Sequence, residues 1–414
     1  MKQWKRIRKR IVSIGMVCVL MLGNVCQLEP AHVLAEEAPK ADTNAPASQP
    51  QMEITAVAAV LIEGSTGRVL YEKNKDEQLI PASITKIMTL LLIFEALESG
   101  KISLTDEVAV SEHAASMGGS QVYLEPFETQ TVNDMIKCIS IASANDAAVA
   151  MAEFIAGSEE SFVAAMNEKA KELGMENTHF LNCCGLDDDI TEGHYSSAYD
   201  VALMSRELIT KHPQISDYST VWMDSITHVT KKGESEFGLT NTNKLVRTYN
   251  GITGLKTGST SKAKYCLSAT AARDGIDMIA VIMAAPDHKV RFTEAAKLLD
   301  YGFANATPYA DENALEGASP VKVKKALDET LPYAIEENFA YVCVGEEKPD
   351  QITKKITLPE ELTAPIHKGD VIGAVEYFLN GVSIGKVNIL AAEDRPEMTY
   401  GDCIVKMGTK FLVR

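Results

Sequence analysis

No apolar run in this chain reaches the roughly 20 residues that a membrane span needs. No C-x-x-C pair occurs among its eight cysteines, and acidic residues outnumber basic ones by 57 to 40. The first absence restricts the N-terminus. Its apolar stretch, Ile11 to about Leu22, follows a basic cluster (Lys2, Lys5, Arg6, Arg8, Lys9, Arg10) and precedes the small-residue pattern Val33-Leu34-Ala35. That is the layout of a secretory signal peptide, here cut after Ala35. An uncleaved anchor is the alternative. A lipid anchor on Cys26 is disfavoured, because Gly23-Asn24-Val25 lacks the Leu and small residues that precede a lipidated cysteine. The mature protein is expected to be exported.

The shortage of positive charge excludes another class. Removing residues 1–35, with their six basic and one acidic residue, takes the net charge from −17 to −22. So acidic a surface repels polyanions at long range, which sets nucleic-acid binding aside. The later cysteines (Cys138, Cys183, Cys184, Cys266, Cys343, Cys403) are scattered, with one adjacent pair. That pattern suits neither a disulfide framework nor a zinc site, and most read as buried thiols, with room for one disulfide. The roughly 380 residues that follow the signal exceed what one hydrophobic core usually serves, so two domains are expected.

What is present divides the chain. Residues 36–52, rich in Ala, Pro and small polar residues, read as a flexible tether. "AVAAVLIE" and "RVLYEKN" are two β-type runs joined at Gly64-Ser65-Thr66-Gly67, a hairpin signal. A helix opened by Pro81-Ala82-Ser83 carries Ile84, Ile87, Met88, Leu91, Leu92 and Leu97 around most of its circumference, so it is buried on nearly all sides, and it ends at Ser99-Gly100. A second helical region, Thr131 to Ala156, is broken at Ser143-Ala144-Asn145-Asp146; a third runs from Ser161 to about Leu173. Strand character returns only in "KYCLSATAARDGIDMIAVIMAAP", two runs around Asp274-Gly275, followed by a helix from about Arg291 to Tyr301. Strands at both ends with helices between predict an α/β (α+β) domain over 53–308: one antiparallel sheet, closed by the first and last strands and flanked by helices. From about Tyr309, short alternating runs between Gly, Pro, Asn and Asp predict a small all-β domain over 309–398. Residues 399–414 are open to two readings: a basic amphipathic helix lying on a membrane, or an ordinary chain end.

One residue resists a structural reading. Ser83 could cap its helix, yet the third residue on is Lys86, where a capping box would place Glu or Gln. A cation in the first turn opposes the helix dipole. Residues three apart share a helix face, so the amine can reach the hydroxyl. Burial and the dipole both disfavour the ammonium, and a neutral lysine can take a serine's proton. The spacing alone is weak, since S-x-x-K recurs at Ser259/Lys262 and Ser261/Lys264. Context strengthens it. Ser143-Ala144-Asn145 stands at the helix break, 60 residues after Ser83, and Lys256-Thr257-Gly258 stands 113 residues after Ser143, preceding the strand run that begins near Tyr265. S-x-x-K, S-x-N and K-T-G, in that order in an exported chain, form the set expected of penicillin-recognising serine acyltransferases.

With these motifs the sequence resembles a D-alanyl-D-alanine carboxypeptidase of the low-molecular-mass penicillin-binding protein type. "PASITKIMT", "SANDAAVAMAE", "GMENTHFLNCCGLDDD", "GHYSSAYDVALMS", "NGITGLKTGST" and "RFTEAAKLLDYGF" all resemble that family's blocks, and the β-rich tail resembles its second domain. The resemblance implies the DD-peptidase/β-lactamase-like fold, a peptidoglycan stem peptide as substrate and β-lactams as covalent inhibitors. It implies neither metal nor organic cofactor, and a place at the extracytoplasmic face of the cell membrane or in the cell wall space. It implies that Ser83 attacks the penultimate D-alanine, Lys86 is the base, Ser143 passes a proton to the leaving amine, and Asn145 holds the peptide and orients Lys86. Lys256 supplies charge near Ser143, Thr257 and Thr260 meet the substrate carboxylate, and the N–H groups of Ser83 and Ser259 form the oxyanion hole, with Gly258 allowing close approach. Arg291 is carried over as a basic residue near that carboxylate; a surface arginine at a helix start is the alternative. In "THFLN", Thr178 stands where class A β-lactamases place the Glu that drives deacylation, so β-lactams should inhibit rather than be consumed. Some relatives have His where this chain has Cys184, which leaves the group that assists deacylation undecided. His194 and Tyr195 read as core or loop residues. Cross-link endopeptidase or β-lactamase activity on the same fold, and a silent peptidoglycan-binding module, are the rival readings.

Overall fold

The computed structural model describes residues 52–188 and 192–412, with side chains as far as Met407. The signal peptide, its cleavage site and nearly all of the tether lie outside the described residues.

The first β-run folds back on itself through the carboxylate of Glu63. Fully buried, it accepts the backbone N–H of Ser65 and of Thr66 (both 2.8 Å) and both their hydroxyls, which closes the expected hairpin between strands Ala58–Glu63 and Val69–Lys73. Strand Ala58–Glu63 then pairs with Ile276–Ala285, so the first and last strand runs are neighbours as expected. The complete sheet is antiparallel, in the order Val69–Lys73, Ala58–Glu63, Ile276–Ala285, Lys264–Arg273, Ile252–Thr260. Its inner strands are apolar on both faces because both are covered. Ala58, Val60 and Ile62 face a helical layer, while Ala59 and Leu61 face helix Val290–Ala304.

The helical layer contains Lys86–Glu98, Val132–Ser140, Asn145–Ala156, Glu159–Glu172 and Ala198–Lys211. Helix Lys86–Glu98 is buried nearly all round, with Ile87, Met88, Leu90, Leu91 and Ile93 at 1% exposure or less. The turn before it, Ala82–Thr85, is a 3-10 helix, so Lys86 begins the α-helix proper.

One expectation is corrected and one is extended. Strand character does not wait for the end of the domain: Met223–Thr230 and Gly233–Thr240 form a hairpin. Only Ile226, His228 and Leu239 of it are buried, so its sequence is too polar to show an apolar run. Lys256-Thr257-Gly258 precedes the strand run Lys264–Arg273, as expected, but is itself in a strand. It lies inside the edge strand Ile252–Thr260, whose Thr, Gly and Ser content reads as a turn until the pairing with Lys264–Arg273 is seen.

The tail is all-β. A four-stranded sheet (Tyr333–Ile335, Val382–Ala391, Val371–Leu379, Ile352–Thr357) and a three-stranded one (Thr330–Leu331, Val321–Lys324, Glu361–Thr363) enclose small cores, the larger built on Phe339 stacked upon Tyr377. Arg68 Nη1 reaches Tyr341 Oη (2.7 Å) and Glu347 Oε2 (2.6 Å), tying the first hairpin to this layer. The chain ends in helix Tyr400–Leu412, whose Lys406 donates to Ala326 O. The described cysteines are free thiols, five of them buried.

Candidate active site

Three backbone segments converge on Lys86. Its amine, fully buried, donates to Ser83 Oγ at 3.0 Å, Asn145 Oδ1 at 2.5 Å and the Cys184 carbonyl at 2.7 Å. Burial pushes this lysine below its ordinary pKa. No acidic side chain stands in the first turn of its helix to hold a cation. The neighbouring thiols of Cys183 and Cys184 are pushed up by their own burial, so near neutral pH they carry no charge that would favour the ammonium. The buried Asp146 carboxylate is engaged by the N–H groups of Val122, Leu124 and Ala147.

The three contacts are chemically unequal. Asn145 Oδ1 and Cys184 O can only accept, so they take two N–H bonds of the amine. The Ser83 hydroxyl can also donate. A neutral amine therefore has its lone pair left for the Ser83 proton, which is the geometry of a base on its nucleophile.

Asn145 is held in turn. Its Nδ2 donates to Gly118 O (2.7 Å) and its backbone N–H to Ser120 O (2.7 Å), so the 118–124 loop is wrapped on the start of helix Asn145–Ala156. Ser143, in the break before that helix, sits at φ +62°, a left-handed conformation costly for a residue with a side chain. Its Oγ accepts from Lys256 Nζ at 2.7 Å. Lys256 is also fully buried, donates to Thr257 O (3.1 Å), and is pushed well below the ordinary lysine value by burial, then by Lys86 and Arg291. S-x-N and K-T-G thus meet through one hydrogen bond.

The strand carrying Lys256 runs against the turn that holds Ser83. A Cβ on Gly258 would lie 2.7 Å from Pro81 O, closer than real side chains come, and 3.0 Å from Ile84 N. Thr257 Oγ1 donates to Thr242 Oγ1 (2.7 Å), while Ser259 is exposed. Thr260 Oγ1 donates to Asp187 Oδ2 at 2.6 Å, so its proton is already engaged. Arg291 is no surface arginine: 9% exposed, it donates from Nη1 to Gly258 O (3.1 Å) and Cys266 O (3.3 Å) beneath the rings of Tyr265 and Phe292. It touches the site through the Gly258 carbonyl.

Sequence reasoning missed the Cys184 carbonyl, the Gly118 carbonyl, Asp187 and Thr242. The first two are backbone groups, which no residue type announces. Thr178 lies away from the amine, bonded to Ser196 and Asp200. His194 is buried, as a core role requires. Its Nδ1 accepts from Leu181 N, so Nε2 carries the proton and donates to Thr85 Oγ1 (2.9 Å). Among the described residues no three His, Cys, Asp or Glu side chains gather to hold a metal ion.

Comparison with known proteins finds two family matches along the chain. Residues 43–287 match the D-alanyl-D-alanine carboxypeptidase family, and residues 303–397 match the penicillin-binding protein 5 C-terminal domain. The chain is 45% identical over 339 residues to D-alanyl-D-alanine carboxypeptidase DacF of Bacillus subtilis, covering 82% of this chain and 85% of that protein. It is 34% identical over 364 residues to DacC of Escherichia coli, covering 83% and 85%. The solved structure of penicillin binding protein 5 from Haemophilus influenzae superposes with a TM-score of 0.65 at 31% identity, covering 84% of this chain and 99% of that one.

Proposed function

This chain belongs to the D-alanyl-D-alanine carboxypeptidase family, and from that premise we propose that Ser83 is the nucleophile of its acyl-enzyme cycle and Lys86 the base that activates it. The enzyme is a serine-type D-Ala-D-Ala carboxypeptidase. Acyl-enzyme chemistry and inhibition by β-lactams are general to the family. The observation that carries the residue assignment is the Lys86 amine, buried between two carbonyl oxygens that can only accept, with Ser83 Oγ at 3.0 Å as its third neighbour.

On this reading Lys86 takes the Ser83 proton as Oγ attacks the carbonyl of the penultimate D-alanine of a peptidoglycan stem pentapeptide. The N–H groups of Ser83 and Ser259 receive the oxyanion. The C–N bond then breaks, and the proton that Lys86 took passes by way of Ser143 to the departing D-alanine amine. Water attacks the ester and returns Ser83. Asn145 holds the substrate's amide, while Lys256 and Thr257 face its terminal carboxylate. Gly258 keeps the strand close, and Arg291 supports it from behind. Thr260 meets the carboxylate by giving up Asp187. Thr178, bonded to Ser196 and Asp200, stands where class A β-lactamases place the glutamate that drives deacylation. This favours a long-lived penicilloyl-enzyme over a β-lactamase.

The same reading makes 53–308 the catalytic domain, 309–398 a β-rich spacer or partner surface, and residues 1–35 an export signal that delivers the enzyme outside the cytoplasmic membrane. Exposed Ile404, Val405 and Met407 on the last helix support peripheral membrane contact by 399–414. Among the described residues no helix is long and apolar enough to cross a membrane. Labelled penicillin tests the assignment. An adduct on Ser83, absent from Ser83→Ala, together with D-alanine release that outpaces nitrocefin turnover, supports it. No adduct in the wild type overturns it.

A further inference from the structure

We infer that Asn182 is the positioning residue that holds the Cys184 carbonyl against Lys86 and so aims the base at Ser83. The inference rests on the assignment of Lys86 as the base. A backbone carbonyl has no rotamer of its own; it points where its loop points. The loop after Leu181 is buckled by one side chain. Asn182 Oδ1 accepts from Gly185 N at 2.6 Å and from Cys184 N at 3.2 Å, and its Nδ2 donates to Leu186 O at 2.8 Å. The amide thus closes a five-residue turn from inside, as short polar side chains do.

The turn presents consecutive carbonyls to one helix. Cys183 O accepts from Thr89 Oγ1 (2.5 Å) and Cys184 O from Lys86 Nζ (2.7 Å), Thr89 and Lys86 lying three apart on the same face. Gly185 sits at φ +80°, and a Cβ there would fall 1.8 Å from the Ala82 carbonyl oxygen, directly before the nucleophile. The loop is therefore pressed onto the catalytic turn and has no slack of its own. Without Asn182, two N–H groups lose their acceptor and the Cys184 carbonyl loses its direction. Asn145 is then the one acceptor-only partner left to Lys86 beside Ser83, and the amine is opened to water.

The test uses Asn182→Ala and Asn182→Asp in the full chain, following acylation of Ser83 by labelled penicillin from pH 5 to 10 with thermal melting alongside. Asp keeps an acceptor for both N–H groups, loses the bond to Leu186 O and adds a carboxylate to the loop. Expected for Asn182→Ala is a 10- to 100-fold fall in second-order acylation, roughly the effect of an ångström's misplacement of a catalytic group. Its acid limb moves to higher pH as water reaches the amine. Asn182→Asp stays within about fivefold of wild type, the worth of one net hydrogen bond. An acid limb in Asn182→Ala that coincides with wild type, or equal impairment of the two variants, overturns the inference. Should Asn182→Ala not fold, Asn182→Asp decides: within about fivefold supports it, and a larger loss overturns it. A wild type that acylates normally beside an unmoved Asn182→Ala profile sinks this inference alone. A wild type without a Ser83 adduct sinks the base assignment and this inference together.

Discussion

Ser143 Oγ and Lys256 Nζ stand 2.7 Å apart, a single hydrogen bond joining the break between two helices to the edge strand of the sheet. Ser143 pays for that position with a left-handed backbone, and Lys256 with a fully buried amine. A left-handed serine and a buried lysine are both costly in a fold, which is what the proposed role of the pair would explain. If Ser143 serves the leaving amine, as proposed, Ser143→Ala should lower D-alanine release by about 100-fold or more, the usual scale of a positioned proton donor. Penicillin, whose leaving amine stays tethered to the acyl group, should still mark Ser83. Equal loss of peptidase and penicillin reactions would remove Ser143 from the leaving-group step.

Gly258 gives a sharper structural prediction. Its absent Cβ would meet backbone atoms, Pro81 O and Ile84 N, which cannot rotate away. Gly258→Ala should cost roughly 1–3 kcal/mol of stability, as overpacking does, and should separate the strand from the nucleophile's turn. Chemical denaturation and the acylation rate should both fall; unchanged values for both would mean that the strand has room to spare.

His194 predicts a pH dependence of stability. Burial pushes its imidazole down to about 4 from an ordinary 6.5, with the neutral ring bonded at both nitrogens. The unfolded chain therefore binds a proton that the folded one refuses. The contribution is fully present above pH 6.5 and is lost as pH falls toward 4, amounting to roughly 3 kcal/mol in all. Urea unfolding from pH 7 to 4.5 should show a steeper loss for wild type than for His194→Gln. Parallel slopes would contradict this.

Asp146 predicts an effect on a loop far from it in sequence. Its carboxylate accepts from Val122 N (3.1 Å to Oδ2) and Leu124 N (3.1 Å), and the 118–124 loop in turn holds Asn145 through Gly118 O and Ser120 O. Asp146→Ala strands two buried N–H groups at about 1–3 kcal/mol each. It should lower the melting temperature and slow acylation as Asn145 loosens. Normal acylation in a destabilised Asp146→Ala would show that Asn145 is held without the loop.

The sequence disclosed those parts of the site that depend on residue identity at short spacing. Ser83 and Lys86 were legible because three residues along a helix is a fixed spatial relation, and because a lysine in a first turn has no structural excuse. Asn145 and Lys256 were legible as members of a set. Backbone partners were not, since the Cys184 carbonyl could belong to any residue and owes its direction to Asn182. Strand Ile252–Thr260 hid for a similar reason: an edge strand rich in Thr and Gly looks like a turn until its neighbour is placed. The hairpin Met223–Thr240, exposed along most of its length, offered too few apolar positions to read. The sheet itself was legible because Ala58–Glu63 and Ile276–Ala285 are apolar on both faces, which only a covered sheet requires.

The central claim is that the Lys86 amine is uncharged when Ser83 attacks. Nitrogen-15 NMR of lysine-labelled protein, with the Lys86 signal assigned by its loss in Lys86→Arg, measures this directly. The account predicts that Nζ loses its proton at a pH below the ordinary lysine value of about 10.4, in step with the acid limb of Ser83 acylation. An amine that stays protonated to that value or beyond, both free and with ligand in the cleft, would contradict it.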